Sequence, residues 1–236
     1  MCLLLALRPG GNEPVLWVAA NRDERLDRAW RAPELLCDRP RVFGGRDLVG
    51  GGSWLAVNLD AAYLVAVTNA RLGAPPGDRS RGELVVAAAA QESFADAVAL
   101  LTELQLHHYG PFNLLIADPT RVLLGTNHPG ARLVEEADTV VAVGNEPLAE
   151  RGERVLMAAE AARRALGRGS DLGGSLTAAL ADHGGADPVC RHGETYGTVS
   201  SVVLTLGRAG LARYDFAAGP PCRTPFVTLA AGPRGA

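Results

Sequence analysis

The hydrophobic pattern opens on a strand. Residues 2–8 begin with Cys2 and the apolar run Leu3–Leu7, and the turn signal Gly10-Gly11-Asn12 follows. Val15–Ala20 reads as the returning strand of a hairpin, with the charged tetrapeptide Asn21-Arg22-Asp23-Glu24 where that strand ends. Residues 25–42 carry charges, Pro33 and Pro40, and read as an irregular surface excursion. GGRDLVGGGSW at 44–54 reads as a glycine-rich loop feeding two apolar strands, Trp54–Asn58 and Tyr63–Asn69. The spacing then turns helical. Ser80 with Glu83 three residues on fits a capping box before an Ala-rich run to Ala90. In 93–104, Phe94, Val98, Leu101 and Leu104 recur at helical intervals. Strands are predicted at Phe112–Ala117, Arg121–Thr126 and Thr139–Gly144, helices at Ala149–Leu166 and Leu176–His183, and closing strands at Thr198–Leu206, Leu211–Asp215 and Phe226–Leu229. Alternating blocks of strands and helices suit an α+β arrangement, two sheets with helices packed outside them. No repeat or low-complexity linker interrupts the chain, which reads as one domain over 1–236.

Composition narrows the chemistry. With 47% hydrophobic and 21% charged residues, the chain is expected to be soluble with a sizeable core. A net charge of −3 without a basic patch argues against a nucleic-acid partner. All 23 basic residues are Arg. The absence of Lys removes Schiff-base, phosphate-loop and Ser–Lys chemistry. Cys2, Cys37, Cys190 and Cys222 are too scattered for a disulfide framework, so reduced thiols in the cytoplasm are expected. No run is long enough to span a bilayer, and the start lacks a signal-peptide pattern.

Cys2 is the most informative residue. Aminopeptidases remove Met when a small side chain follows, so the mature chain is expected to begin at Cys2. Its thiol and a free α-amine would then share one residue. The amine has a reference pKa of about 7.7–8.0, suited to accept the thiol proton near neutral pH. A Cys nucleophile with the terminal amine as base is the logic of N-terminal-nucleophile (Ntn) amidohydrolases.

MCLLLAL, AANRDERLDR, GGRDLVGGGSW followed by VTNAR, SRGELV, VAVGNEPL and YGTVSSVVL occur in this order from Met1 to about Asp215. Together they resemble the NRDE family, also called the transport and Golgi organisation protein 2 family. The resemblance implies an Ntn-hydrolase-like fold, a four-layer αββα sandwich with two antiparallel sheets. It also implies kinship with the choloylglycine hydrolase and penicillin V acylase branch, which likewise begins Met-Cys. On that likeness Cys2 is the nucleophile. Asp23 would orient the α-amine, Arg22 would favour the thiolate, Asn69 would contribute to an oxyanion hole, and Asn145 would match the second site Asn of that branch. The branch spaces its Arg and Asp three apart, a spacing that Asn21 and Glu24 have here. Those two residues and Trp54 form the expected substrate-side set. Val199 stands where other members carry Arg, and Ser200 and Ser201 cannot replace that charge.

Other candidates are weaker. The glycine loop has the wrong spacing for a dinucleotide and no Lys for phosphate. Cys190 and His192 form a C-x-H pair without two further ligands at suitable spacing, so no metal site is expected. Asp23, Glu24 and Asp27 read as a solvated acidic stretch, and His107-His108 as loop residues. No cofactor is expected. Two functions compete: an Ntn-type cysteine amidohydrolase acting on a linear amide or other acyl bond, and a non-enzymatic carrier of haem or acyl-CoA/lipid on the same fold. The carrier reading rests on the resemblance, since animal relatives are linked to haem trafficking and to lipid and coenzyme A homeostasis. A haem carrier would want an axial ligand such as His192 or Cys190. The sequence assigns neither the substrate nor an oligomeric state.

Overall fold

The structure is a computed structural model, and it describes residues 2–70, 74, 77–168 and 171–231. Met1 and the Arg71 of VTNAR lie outside the described residues. In chain order the elements are β1 (Cys2–Leu7), β2 (Val15–Arg25), β3 (Trp30–Asp38), β4 (Arg41–Asp47), β5 (Leu55–Asn58), β6 (Tyr63–Asn69), α1 (Arg81–Ala89) and α2 (Phe94–Glu103). A 3-10 turn at Leu106–His108 leads to β7 (Phe112–Ala117), β8 (Val122–Thr126), β9 (Arg132–Glu135) and β10 (Val140–Val143). Then come α3 (Glu153–Arg168), α4 (Leu172–Leu180), β11 (Tyr196–Gly207), β12 (Gly210–Ala217) and β13 (Val227–Ala231).

The strands form two antiparallel sheets. The first runs β10-β1-β2-β11-β12-β13, and the second runs β3 to β9 in sequence order. Period-two alternation sorts their side chains. In β1 and β2, Leu4, Ala6, Leu16, Val18 and Ala20 pack into the core between the sheets, against Leu64, Ala66 and Leu115. The alternate residues Leu3, Leu5, Leu7 and Ala19 pack under α3 and α4. The outer face of the second sheet packs Val65, Val67 and Ile116 under α1 and α2. The result is the α+β four-layer αββα sandwich expected from the resemblance. No described helix is long and apolar enough to cross a membrane.

Several sequence expectations change. Residues 25–42 are not irregular. β2 continues to Arg25, so the NRDE tetrapeptide lies inside the strand, and β3 and β4 follow as a hairpin. Pro33 is tolerated in a strand because β3 is a sheet edge and its register breaks between Arg31 and Glu34. Gly44–Asp47 belong to β4 rather than to the glycine loop. β9 has no counterpart among the expected strands, since its four residues are largely exposed and carry no alternation. Helix α4 starts at Leu172, earlier than expected, because Asp171 caps it by accepting from the Gly174 N–H at 2.9 Å. Ser80 does cap α1, but it accepts from Gly82 N at 3.1 Å.

Candidate active site

The antiparallel register of β1 and β2 places Cys2 directly opposite Arg22. Both hold even positions, so both face the inter-sheet side. Beside them opens a cavity of about 430 Å³ lined by Cys2, Arg22, Asp23, Glu24, Ser53, Trp54, Asn69, Arg81 and Asn145 among others. Five parts of the chain converge there: the β1–β2 hairpin, the segment from Asp47 to Trp54, the end of β6, residues 77–82 leading into α1, and Asn145 two residues past β10. Seven of the eight residues proposed from sequence therefore line one cavity. Asn21 does not. Its amide donates to Leu180 O (2.9 Å) and Val189 O (3.0 Å) and accepts from Ser201 Oγ (2.6 Å). Those bonds use both its hydrogens and tie β2 to the helical layer.

Asp23 lines the cavity, yet its carboxylate is turned to the helical layer. Its carboxylate is fully buried and meets the almost equally buried Arg154 of α3 at 2.6 Å. Thr198 Oγ1 donates to the other oxygen at 2.6 Å, and Tyr196 OH donates to the Asp23 carbonyl at 2.7 Å. Burial pushes the Asp23 carboxyl up, against the pull of Arg154 and Thr198. Sequence reasoning misses Arg154. Its position in a helix of many charged residues gives no sign that it alone turns inward.

Arg22 lies 3.7 Å from Asp47 and 3.9 Å from Glu24. Its Nη1 is buried with no hydrogen-bond partner among the described residues. Asp47 organises this corner. It accepts from the Val49 and Gly50 amides at 3.0 Å and pairs with Arg28 at 2.9 Å. Partial burial raises its carboxyl, but the Gly50 and Val49 amides and Arg28 outweigh it and hold the group below its ordinary range. The glycine triplet has a steric purpose. Gly52 has a φ of +73° and lies against the Gly82 backbone at the start of α1, where any Cβ would collide. That close approach brings Ser53 N to Gly82 O at 3.1 Å and closes the loop onto α1.

The Asn pair joins the sheets. Asn145 Nδ2 donates to Asn69 O at 2.6 Å, leaving its second hydrogen for another acceptor. Buried Thr68 and Asn113 of the second sheet also hold the segment after β10. Thr68 Oγ1 donates to Gly144 O, and Asn113 Nδ2 donates to Glu146 O at 2.7 Å. Neither is legible as a site residue in the sequence, because each sits in a strand marked only by its apolar run.

Burial dominates the electrostatics of Cys2. Burial pushes its thiol up, and Asp23 adds to this, while the positive chain terminus, Arg22 and the Asp23 backbone N–H pull it down. Burial prevails, so in the chain that still bears Met1 the thiol lies above its ordinary value; the thiolate-favouring effect implied by the resemblance concerns Cys2 with a free α-amine. Val199 occupies a bulge, at the register shift between Thr198 and Ser200, and is buried. Arg81, at the start of α1, also lines the cavity, and its charge interacts with Cys2 and Glu24.

The C-x-H pair needs a correction of a different kind. Sequence spacing offered Cys190 and His192 no further ligands, yet the fold brings His183 and Cys222 to them, all four donor atoms lying within 4.8 Å of one another. The connection from α4 to β11 and the loop between β12 and β13 close a separation that spacing alone leaves open. This cluster is separate from the cavity, none of whose lining residues belongs to it.

Comparison with known proteins agrees with this architecture. The family model described as Transport and Golgi organisation 2 matches residues 1–180. No curated protein matches the chain in sequence. Among solved structures, it is similar to a Caenorhabditis elegans N-acylethanolamine-hydrolyzing acid amidase (NAAA) ortholog, at TM-score 0.61 and 12% identity over 86% of this chain and 92% of that one. That likeness establishes an Ntn-hydrolase-like fold. A eukaryotic HslV from Trypanosoma brucei aligns at TM-score 0.40 and 12% identity, over 75% of this chain and 87% of that one. The family match spans well over half of the sequence and includes Cys2, the NRDE strand and both Asn residues of the cavity: the chain belongs to the Transport and Golgi organisation 2 family.

Proposed function

We propose that the protein is an N-terminal cysteine hydrolase that cleaves a linear amide or related acyl bond. The observation that carries this reading is the convergence of Cys2, Arg22, Asn69 and Asn145 on one cavity. Removal of Met1 frees the Cys2 amine as base. The amine takes the thiol proton, Sγ attacks the acyl carbon, and the oxyanion forms beside the Asn69–Asn145 pair. The C–N bond then breaks, with the proton passing from the ammonium to the leaving amine. Water, deprotonated by the same amine, attacks the thioester; the acid departs and the proton returns to sulfur. Arg22 stabilises the thiolate that burial otherwise disfavours.

The lining also bears on substrate class. Arg28 and Arg22 are matched by Glu24 and Asp47. Arg79 and Arg81 line the cavity with no carboxylate in ion-pair range among the described residues. A substrate with an anionic group distal to its scissile bond suits them. The C. elegans neighbour is an ortholog of an amide hydrolase, which is in keeping with this reading. For a haem carrier the cavity is poorly furnished: Cys2 is its only sulfur and no His lines it among the described residues.

Amine release from a panel of N-acyl amides, half of them carrying a carboxylate, tests the proposal. Turnover by the wild type that disappears in Cys2→Ala is expected, with lower KM for the anionic members. Acyl-CoA or haem binding that survives Cys2→Ala, with no turnover of any member, would replace the hydrolase by a carrier.

A further inference from the structure

The four-residue cluster at His183, Cys190, His192 and Cys222 has the composition and dimensions of a metal centre. Cys190 Sγ lies 3.7 Å from Cys222 Sγ and 3.7 Å from His192 Nε2, and His192 Nε2 lies 3.2 Å from Cys222 Sγ. A tetrahedral zinc ion with Zn–S of about 2.3 Å and Zn–N of about 2.0–2.1 Å separates sulfurs by about 3.8 Å and sulfur from nitrogen by about 3.5 Å. The observed separations fall around those edges. A disulfide would require sulfurs about 2.05 Å apart and would leave both imidazoles without a reason to converge.

His183 supplies the second observation. Its Nδ1 is 3.1 Å from the carbonyl oxygen of Cys190. A proton on Nδ1 donated to that carbonyl leaves Nε2 as the ligating lone pair, the outer-shell arrangement usual for metal-bound His. The two rings sit 5.0 Å apart at 35°. Two thiolates and two imidazoles in a tetrahedron select zinc among common divalent ions. With four protein donors no position remains for water or substrate, so the site is structural rather than catalytic.

We propose that His183, Cys190, His192 and Cys222 form a structural zinc site that pins the loop between β12 and β13 to the connection between α4 and β11. All four residues lie beyond the 1–180 covered by the family model. The consequence reaches the cavity through the backbone. Val189 O, next to the ligand Cys190, accepts from Arg154 Nη2 at 2.7 Å and from Asn21 Nδ2 at 3.0 Å. Arg191 N donates to Thr198 Oγ1 at 2.9 Å, and that hydroxyl donates to Asp23. A metal that fixes Cys190 and His192 therefore holds the carbonyl and the amide between which the Asp23–Arg154 pair is seated. Zinc binding itself does not depend on the hydrolase reading.

Elemental analysis of full-length protein, purified under reducing conditions from zinc-supplemented cells, tests the proposal. About one zinc per chain is expected. A Cys190→Ser/Cys222→Ser double variant should lose it, and Cys37→Ser should keep it. Because the double variant can fail to fold, the wild type is also stripped with chelator and titrated with cobalt. Strong visible absorption of tetrahedral cobalt thiolate, bleached by added zinc, is the expected result, and re-metallation should raise the thermal midpoint. Substoichiometric zinc in the wild type, zinc retained by the double variant, or the weak spectrum of six-coordinate cobalt would each overturn it. So would a Cys190–Cys222 disulfide formed under these conditions.

Discussion

The two faces of the NRDE strand do different work. Asn21 and Asp23 point to the helical layer, where every polar group meets a buried partner from α3, α4 or β11. Arg22 and Glu24 point the other way, toward the cavity, where their contacts with Asp47 and Arg28 are long and Arg22 Nη1 has no described hydrogen-bond partner. A contiguous motif is thus split by strand alternation into an anchoring half and a half that faces the cavity. Contiguity in sequence is no measure of shared role.

The most drastic test of the cavity face is Cys2→Ala. Acyl transfer should fall to background with an unchanged thermal midpoint, because the thiol is proposed to be the sole nucleophile. A retained rate would move the chemistry elsewhere. The anchoring face should answer in stability instead. Arg154→Ala strands the buried Asp23 carboxylate and should cost about 3–5 kcal/mol in denaturant unfolding. Adding Asp23→Asn should recover part of the loss, so additive effects in the double variant would contradict a coupled pair. Asn69→Ala should lower the acylation rate by about 10²–10³-fold if its amide serves the oxyanion. A change confined to KM would reassign it to substrate binding.

Smaller effects sharpen the contrast. Glu24→Gln should change stability by less than about 1 kcal/mol, since its ion pairs are long and partly solvated. A cost comparable to that of Arg154→Ala would erase the distinction between the faces. The pH dependence differs as well. The Asp47 carboxyl is held low, so the stability it contributes is present above its unfolded value of about 3.9 and is lost as pH falls through the lower folded value. Acid unfolding curves of Asp47→Asn should lose that limb. Cys2 behaves oppositely: with its thiol held high, alkylation of the Met1-bearing chain should still be accelerating above about pH 8.5. A plateau near neutrality would mean that Arg22 outweighs burial.

Much of this is legible in the sequence. The hairpin from Cys2 to Ala20 and the strand ending at Asn69 follow from apolar runs bounded by turn residues, and β6 and β7 match their expected limits. The layered fold is implied by the family resemblance together with blocks of strand and helix. What escapes is what alternation and spacing cannot encode. β3 hides behind an edge proline, and the extension of β2 behind charges whose partners, Arg154 of α3 and Asp47 of β4 among them, are supplied by the tertiary fold. Arg154 and the partners of Cys190 are joined to their neighbours by tertiary contact alone. The direction of the Cys2 shift is hidden for the same reason: local charges can be counted along the chain, whereas the burial created by the other strands cannot.

The chemistry proposed for the cavity stands or falls with Cys2 as an N-terminal nucleophile, and intact mass after brief incubation with a thioester or N-acyl amide tests it most directly. Protein taken from cells should lack the mass of Met1 in large part, and only that species should gain the acyl group, on Cys2. Retention of Met1 throughout leaves an amide nitrogen that cannot act as base, and acylation that persists in Cys2→Ala would place the nucleophile on another residue; either result contradicts the proposed mechanism.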